Sequence, residues 1–307
     1  MDMLFNARYP FSKSARKYAE FLNIRIDYDL VELGKRRAAD AVLRKRIPIL
    51  SDTSFGLEEE ITSYAAARMI VSQIGGRQAI ESYAVAEAKR ASSHLKSDSE
   101  ENIAALAGDF GLPQGFEVPV LKYLKYAPGA PEYKLVNRKL SKGKVLLSKN
   151  EFIRVLEEAI RLQILESLPV KMPEVPPSIK KAAEDIRVAM PKPVVRVVAS
   201  GDRPPCIANM LERLANGENL PHSARWALTI YLLKTGMGER DIMKLFSTAP
   251  DYDERITRYQ VEYIKRKGYN MPACRLMDSN GLCIYRCGTR SPLGYKGKRF
   301  NKYSEKT

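Results

Sequence analysis

Along the first 110 residues the apolar positions fall at helical spacing. In 29–47 the side chains of Leu30, Leu33, Ala38, Ala41 and Val42 recur near the helical period, with charged residues between them. Ser12 is placed to cap a helix over 14–23. The segment 57–74 opens with three acidic residues, which suit the positive end of a helix, and Gly75-Gly76 ends it. Further helices are predicted over 77–95 and 102–110.

The texture changes at 115–148, GFEVPVLKYLKYAPGAPEYKLVNRKLSKGKVLLS, which is rich in Val, Tyr, Leu and Pro. Turn signals stand at Pro128-Gly129 and Lys142-Gly143-Lys144. The stretch reads as a few short strands, a small α+β element among helices. Its face of Val120, Leu121, Tyr123, Leu124 and Tyr126 carries more apolar surface than a lone small sheet can bury. Either a partner chain covers that face or the neighbouring helices do.

Ser148 and Glu151 form a capping-box pattern ahead of a helix over 151–168. A proline-dense connector, 169–178, precedes a short helix over 178–190. Residues 194–200, VVRVVAS, read as an extended link. The predicted division is 1–200 and 201–307. The second part is helical again. Pro205 opens one helix and Gly217 stops it; Pro221 opens the next, at its first position, and Gly236 stops that. After Gly268 loops are predicted, and the tail from Tyr295 has the basic, polar composition of a disordered segment.

Composition narrows the class. The chain has 307 residues, 45% of them hydrophobic, enough for ordinary cores. No stretch approaches the roughly 20 apolar residues of a membrane span, and nothing resembles a secretory signal. A soluble, intracellular protein is expected. Lys and Arg number 51 against 36 acidic residues, a formal charge of +15. Residues 201–307 hold +8 of that excess in about a third of the length. Either the basic surface serves solubility, or it meets a polyanion, for which nucleic acid is the commonest candidate.

Four cysteines, Cys206, Cys274, Cys283 and Cys287, have the spacing C-x67-C-x8-C-x3-C. Zinc ribbons pair their ligands in two close knuckles, which this spacing does not provide. Four thiolates without a histidine motif suit an all-thiolate zinc site or a cubane iron–sulfur cluster, and the irregular spacing favours the cluster. Arg275, Arg286 and Arg290 lie close by in sequence, where they offset thiolate charge.

Two further constellations stand out. His222 and Arg225 share one face of a helix's first turn, where free N–H groups and a positive side chain make an anion site. Arg255, Arg258, Tyr259 and Tyr263 interleave cations with aromatics, the combination for phosphate contact and base stacking; the alternative is tyrosines covering a core. Two Asp-x-Asp triplets, Asp27-Tyr28-Asp29 and Asp251-Tyr252-Asp253, each precede a helical pattern. Helix capping explains them better than two-metal catalysis.

The segments RPPCIANMLERLANGENLPHSARWAL (203–228), TRYQVEYI (257–264), MPACRLMDSNGLC (271–283) and CGTRSPLGY (287–295) closely resemble the C-terminal iron–sulfur domain of the large, non-catalytic subunit of DNA primase, archaeal branch. The resemblance implies a mainly α fold: a helical N-terminal domain with a small α+β element, then a helical iron–sulfur domain. It implies one 4Fe–4S cluster on the four cysteines and a catalytic small subunit as partner, docked by 1–200. It implies contact with single-stranded DNA template, RNA/DNA primer and initiating nucleotide. In the family the region matching His222 and Arg225 holds a primer 5′-triphosphate and the neighbouring template strand, and Arg275 joins this surface. Eukaryotic members carry further basic residues where this chain has Asn219 and Pro221. The implied location is the cytoplasm, on the nucleoid in an archaeon. The competing expectation is an enzyme in its own right, a nucleotidyltransferase or an iron–sulfur nuclease.

Overall fold

The computed structural model describes residues 2–22, 25–49, 56–190, 203–285 and 287–296. The predicted link 194–200, Arg286 and the tail beyond 296 lie outside them. The chain divides into two compact units, Met1–Met190 and Pro191–Thr307, each with its own hydrophobic core.

The first unit is built from α1 (Met3–Arg8), α2 (Lys13–Phe21), α3 (Tyr28–Val42), α4 (Leu57–Ile74), α5 (Arg77–Ser97), α6 (Glu100–Asp109), α7 (Val120–Tyr126), α8 (Lys149–Glu166) and α9 (Pro177–Ala189). Its caps are local and legible. The Ser12 side chain accepts from the Ala15 N–H. Ser148 and Glu151 complete the capping box of α8. Helix α3 packs on α4 and α9, and α5 packs on α8. Gly34 permits the first contact: a Cβ there would stand 2.5 Å from the Ala66 Cβ of α4. At the junction of α3, α4 and α5 the buried Arg37 guanidinium donates to both carboxylate oxygens of Glu87, at 2.6 and 2.8 Å. It also donates to Glu60 at 2.9 Å, and Arg90 reaches the same Glu60 oxygen at 2.7 Å. Such a buried network fixes how helices align more than it adds net stability.

The small α+β element expected over 115–148 is present, but Val120–Tyr126 is not one of its strands. Only β1 (Glu117–Pro119), β2 (Leu140–Ser141) and β3 (Lys144–Leu146) are extended; they form an antiparallel sheet in the order β1-β3-β2. Val118 pairs with Val145, and both are fully buried. Lys142 and Gly143, both at positive φ, make the tight β2–β3 turn. The segment Val120–Tyr126 is helix α7, entered through Pro119 at φ −53°. Its Val, Leu and Tyr content favoured strand, but Tyr123 and Tyr126 are three apart and both point inward. The proposed apolar face is therefore split. Tyr123 is fully buried, its hydroxyl donating to the Tyr133 carbonyl at 2.7 Å, and Tyr126 is buried with it. Val120 is half-buried, while Leu121 and Leu124 point to solvent, 83% and 56% exposed.

The second unit contains α10 (Pro205–Ala215), α11 (His222–Lys234), α12 (Glu239–Phe246), α13 (Glu254–Lys267) and the short α14 (Cys274–Ser279). Pro205 takes the first turn of α10, and Gly217 and Gly236 follow their helices at positive φ. Pro221 takes the N-cap of α11 and not its first position. Helix α14 falls where loops were expected. Ile207, Met210, Leu228, Leu232, Ile242 and Phe246 form the centre of the core.

Candidate metal centre and nucleic-acid interface

Helix α10 places Cys206 at the edge of this core, 7% exposed. Cys274 opens α14, and Cys283 and Cys287 follow in the loop beyond, all half-buried. The Cys274 N–H donates to the Arg290 carbonyl at 2.9 Å and closes that loop. The Thr289 hydroxyl then stands 3.5 Å from the Cys274 sulfur and 3.4 Å from that of Cys287. Burial pushes the Cys206 thiol up to about 11 against a lowering by the Ile207 N–H, and the charges of Cys283, Cys274 and Cys287 push the same way as burial. Cys206 thus lies within electrostatic reach of the other three cysteines.

The donor set can be tested against the metal. One tetrahedral ion with sulfur bonds of about 2.3 Å would hold its ligands within about 4 Å of one another. Among the described residues, no group of three or more Cys, His, Asp or Glu side chains is gathered closely enough to hold a single ion. In a four-iron cluster each thiolate binds its own iron, so the sulfurs stand further apart. The donor chemistry, four thiols and no histidine, is one that either a four-iron cluster or an all-thiolate zinc site uses.

Helices α11 and α13 pack together and flank a cleft of about 200 Å³, lined by His222, Arg225, Trp226, Tyr259, Gln260 and Tyr263 among others. His222 and Arg225 therefore meet Tyr259 and Tyr263 at one cleft, whereas Arg258 lines a different one with Glu239, Tyr252 and Glu254. His222 is exposed at the start of α11, whose first N–H groups have no side-chain cap. Arg225 is not an unengaged cation. Its Nε donates to the Leu220 carbonyl at 2.9 Å, and its Nη2 donates to Asn219 and to the Asp251 carboxylate.

On α13, Tyr259 is exposed and stacks on Tyr263, ring centroids 6.1 Å apart and planes at 22°. Tyr263 meets Tyr269 at 6.3 Å, and Tyr269 meets Trp226 at 5.8 Å. Four aromatic rings therefore run in series beside the cleft. Sequence reasoning found two; Trp226 and Tyr269 lie far apart in the chain and only packing joins them. Arg266 and Lys267 lie over Tyr263, each 5.7 Å from its centroid. Arg255 and Arg258 are exposed on the same helix, Arg258 paired with Glu254 at 2.6 Å. Arg275 is exposed on α14, next to Cys274.

Each Asp triplet supplies a cap. Asp27 accepts from the Leu30 N–H and Asp253 from the Ile256 N–H, both at 2.9 Å. Asp251 is the partner of Arg225.

The chain is mainly helical, with an aromatic cleft bearing His222 and Arg225 and four cysteines in its second unit. Residues 197–305 match the family that comprises the C-terminal domain of the large subunit of eukaryotic and archaeal DNA primase. The chain is 34% identical to the DNA primase large subunit PriL of Methanocella arvoryzae, across 92% of this chain and 84% of that protein. It is 33% identical to the PriL of Methanococcoides burtonii, across 97% and 93%, and 32% identical to that of Methanosarcina mazei, across 95% and 88%. The chain belongs to the DNA primase large-subunit family, whose members are generally the non-catalytic partners of a catalytic small subunit. Among the described residues no helix is long and apolar enough to cross a membrane.

Proposed function

We propose that this chain is the regulatory subunit of a primase heterodimer, which positions nucleic acid for a catalytic small subunit during RNA primer synthesis. Its second unit carries one 4Fe–4S cluster on Cys206, Cys274, Cys283 and Cys287. The cluster ties α10 to a segment 68 residues further on and so holds the unit's ends together. The cleft between α11 and α13 takes single-stranded template on its tyrosines and the primer 5′-triphosphate or initiating nucleotide at His222 and Arg225. The observation that carries the reading is the meeting of an uncapped helix start and a stacked Tyr259–Tyr263 pair at one cleft.

Holding template and nucleotides together turns a many-body encounter into a local one, which accelerates initiation without any catalytic group from this chain. The first unit docks the small subunit. Leu121 and Leu124 of α7 form the contact, since Tyr123 and Tyr126 are already occupied by the core.

The test is primer synthesis by the anaerobically purified chain, alone and mixed with the catalytic partner, with iron and sulfide measured on the same sample. Stimulation only in the mixture, with iron and sulfide near four each per chain, is expected. Synthesis by the chain alone overturns the regulatory assignment. Stoichiometric zinc without visible absorption overturns the cluster.

A further inference from the structure

The geometry points to Thr289 as a positioning residue that sets the reduction potential of the metal centre, an inference that rests on the iron–sulfur reading above. Its hydroxyl stands 3.5 Å from the Cys274 sulfur and 3.4 Å from the Cys287 sulfur, two of the four thiolates expected to bind iron. The backbone brings it there by a specific route. Gly288, at φ +71°, turns the chain directly after Cys287, and the Cys274 N–H to Arg290 carbonyl bond pins the far side of the loop. Thr289 is thus held between two cysteines that lie 13 residues apart in sequence. It is half-buried, so water competes less for its proton than at an open surface.

The chemistry follows from charge. Iron-bound cysteines are thiolates and only accept, so the single hydroxyl proton is donated to one of the two sulfurs at a time. When the centre gains one electron, negative charge on those sulfurs rises and the hydrogen bond strengthens. The reduced state is favoured and the potential is raised, the direction in which hydrogen bonds to cluster sulfurs act. No bond at Thr289 forms or breaks. The nearby positive side chains act the same way through space, but Thr289 is the described side chain that touches two of the sulfurs at once.

The experiment uses the full-length chain purified anaerobically, with iron and sulfide measured before a redox titration in which mediator dyes supply the electron. Thr289→Val preserves the shape and removes the proton; Thr289→Ser restores it. The valine variant is expected to retain wild-type iron and to titrate at a more negative potential, while the serine variant stays near wild type. A valine variant with full iron and an unshifted potential overturns the inference, as does a serine variant displaced as far as valine. Should the valine variant fail to retain iron, Thr289→Ala is titrated in its place under the same criteria. Wild-type protein without iron sinks the cluster reading and this inference together. Wild-type protein with iron and no valine effect sinks this inference alone.

Discussion

Arg225 illustrates how much a single neighbour changes a side chain's meaning. Its place one turn into α11 beside His222 was legible from their spacing of three. The Asp251 carboxylate that holds it comes from 26 residues away, and no local pattern predicts such a pairing. A phosphate reaching Arg225 must compete with that carboxylate. Arg225→Ala and His222→Ala are expected to weaken 5′-triphosphate primers about tenfold, the scale of one lost charge-assisted hydrogen bond, and 5′-hydroxyl primers less. Asp251→Asn is expected to tighten triphosphate binding. Fluorescence anisotropy with matched primers checks both; equal changes for the two primer ends would leave only generic positive charge. Asp98 is a second such residue. It accepts from Tyr9 at 2.8 Å, from Asn102 at 2.7 Å and from the Ser99 N–H at 3.0 Å. Burial pushes its carboxyl up, but these donors and Arg8 outweigh it and hold the group below the ordinary aspartate range. Its stabilising contribution is therefore complete above the unfolded aspartate pKa and is lost as pH falls through the lower, folded one. Asp98→Asn should lower the urea midpoint at neutral pH, with a gap to wild type that closes in acid. A gap independent of pH contradicts the assignment.

Among the elements, helices with a side-chain cap and a clear apolar face were legible in the sequence, and α4 begins and ends where its acidic start and Gly75 place it. The failure at α7 has a physical cause. Over seven residues, strand-forming Val and Tyr outweigh a period-three pattern too short to register, and burial of Tyr123 and Tyr126 decides the outcome. That correction relocates the docking test. Tyr123→Asp would place a charge in the core and unfold the element, whereas Leu121→Glu with Leu124→Glu changes only solvent-facing positions. The double variant is expected to fold normally by circular dichroism and to lose capture of the catalytic partner. Full capture by a folded variant removes α7 from the interface. The contact of α3 with α4 was not legible, because Gly34 is an ordinary mid-helix glycine until Ala66 is placed against it. Gly34→Val should cost about 1–3 kcal/mol, the range for overpacking a tight contact, measured by chemical denaturation. An unchanged midpoint would mean that the two helices separate freely.

The whole molecule is two cores in one chain. Charge asymmetry and the clustering of cysteines after residue 200 announced the difference between the parts, since composition is averaged over many residues and survives ignorance of the fold. Cys206 reports on the second core specifically, because its side chain is part of that core and lies within electrostatic reach of the other three cysteines. Cys206→Ser is expected to lower the melting transition of residues 203–296 and to leave that of Met1–Met190 unchanged. Limited proteolysis along a thermal ramp separates the two. Simultaneous loss of both transitions would show that the units do not unfold independently.

The contiguity of Met1–Met190 also sets an order of events during synthesis. Domains fold as units with the N-terminal one first, and among the described residues the core of this unit is built from residues up to Met190. All four cysteines are translated after it. On the docking proposed above, a nascent chain would present a finished α7 to the small subunit before its last thiol has left the ribosome. On the proposed assignments, partner capture and cluster binding would be separate steps, and a cell short of iron would accumulate heterodimers that are assembled but lack the cluster.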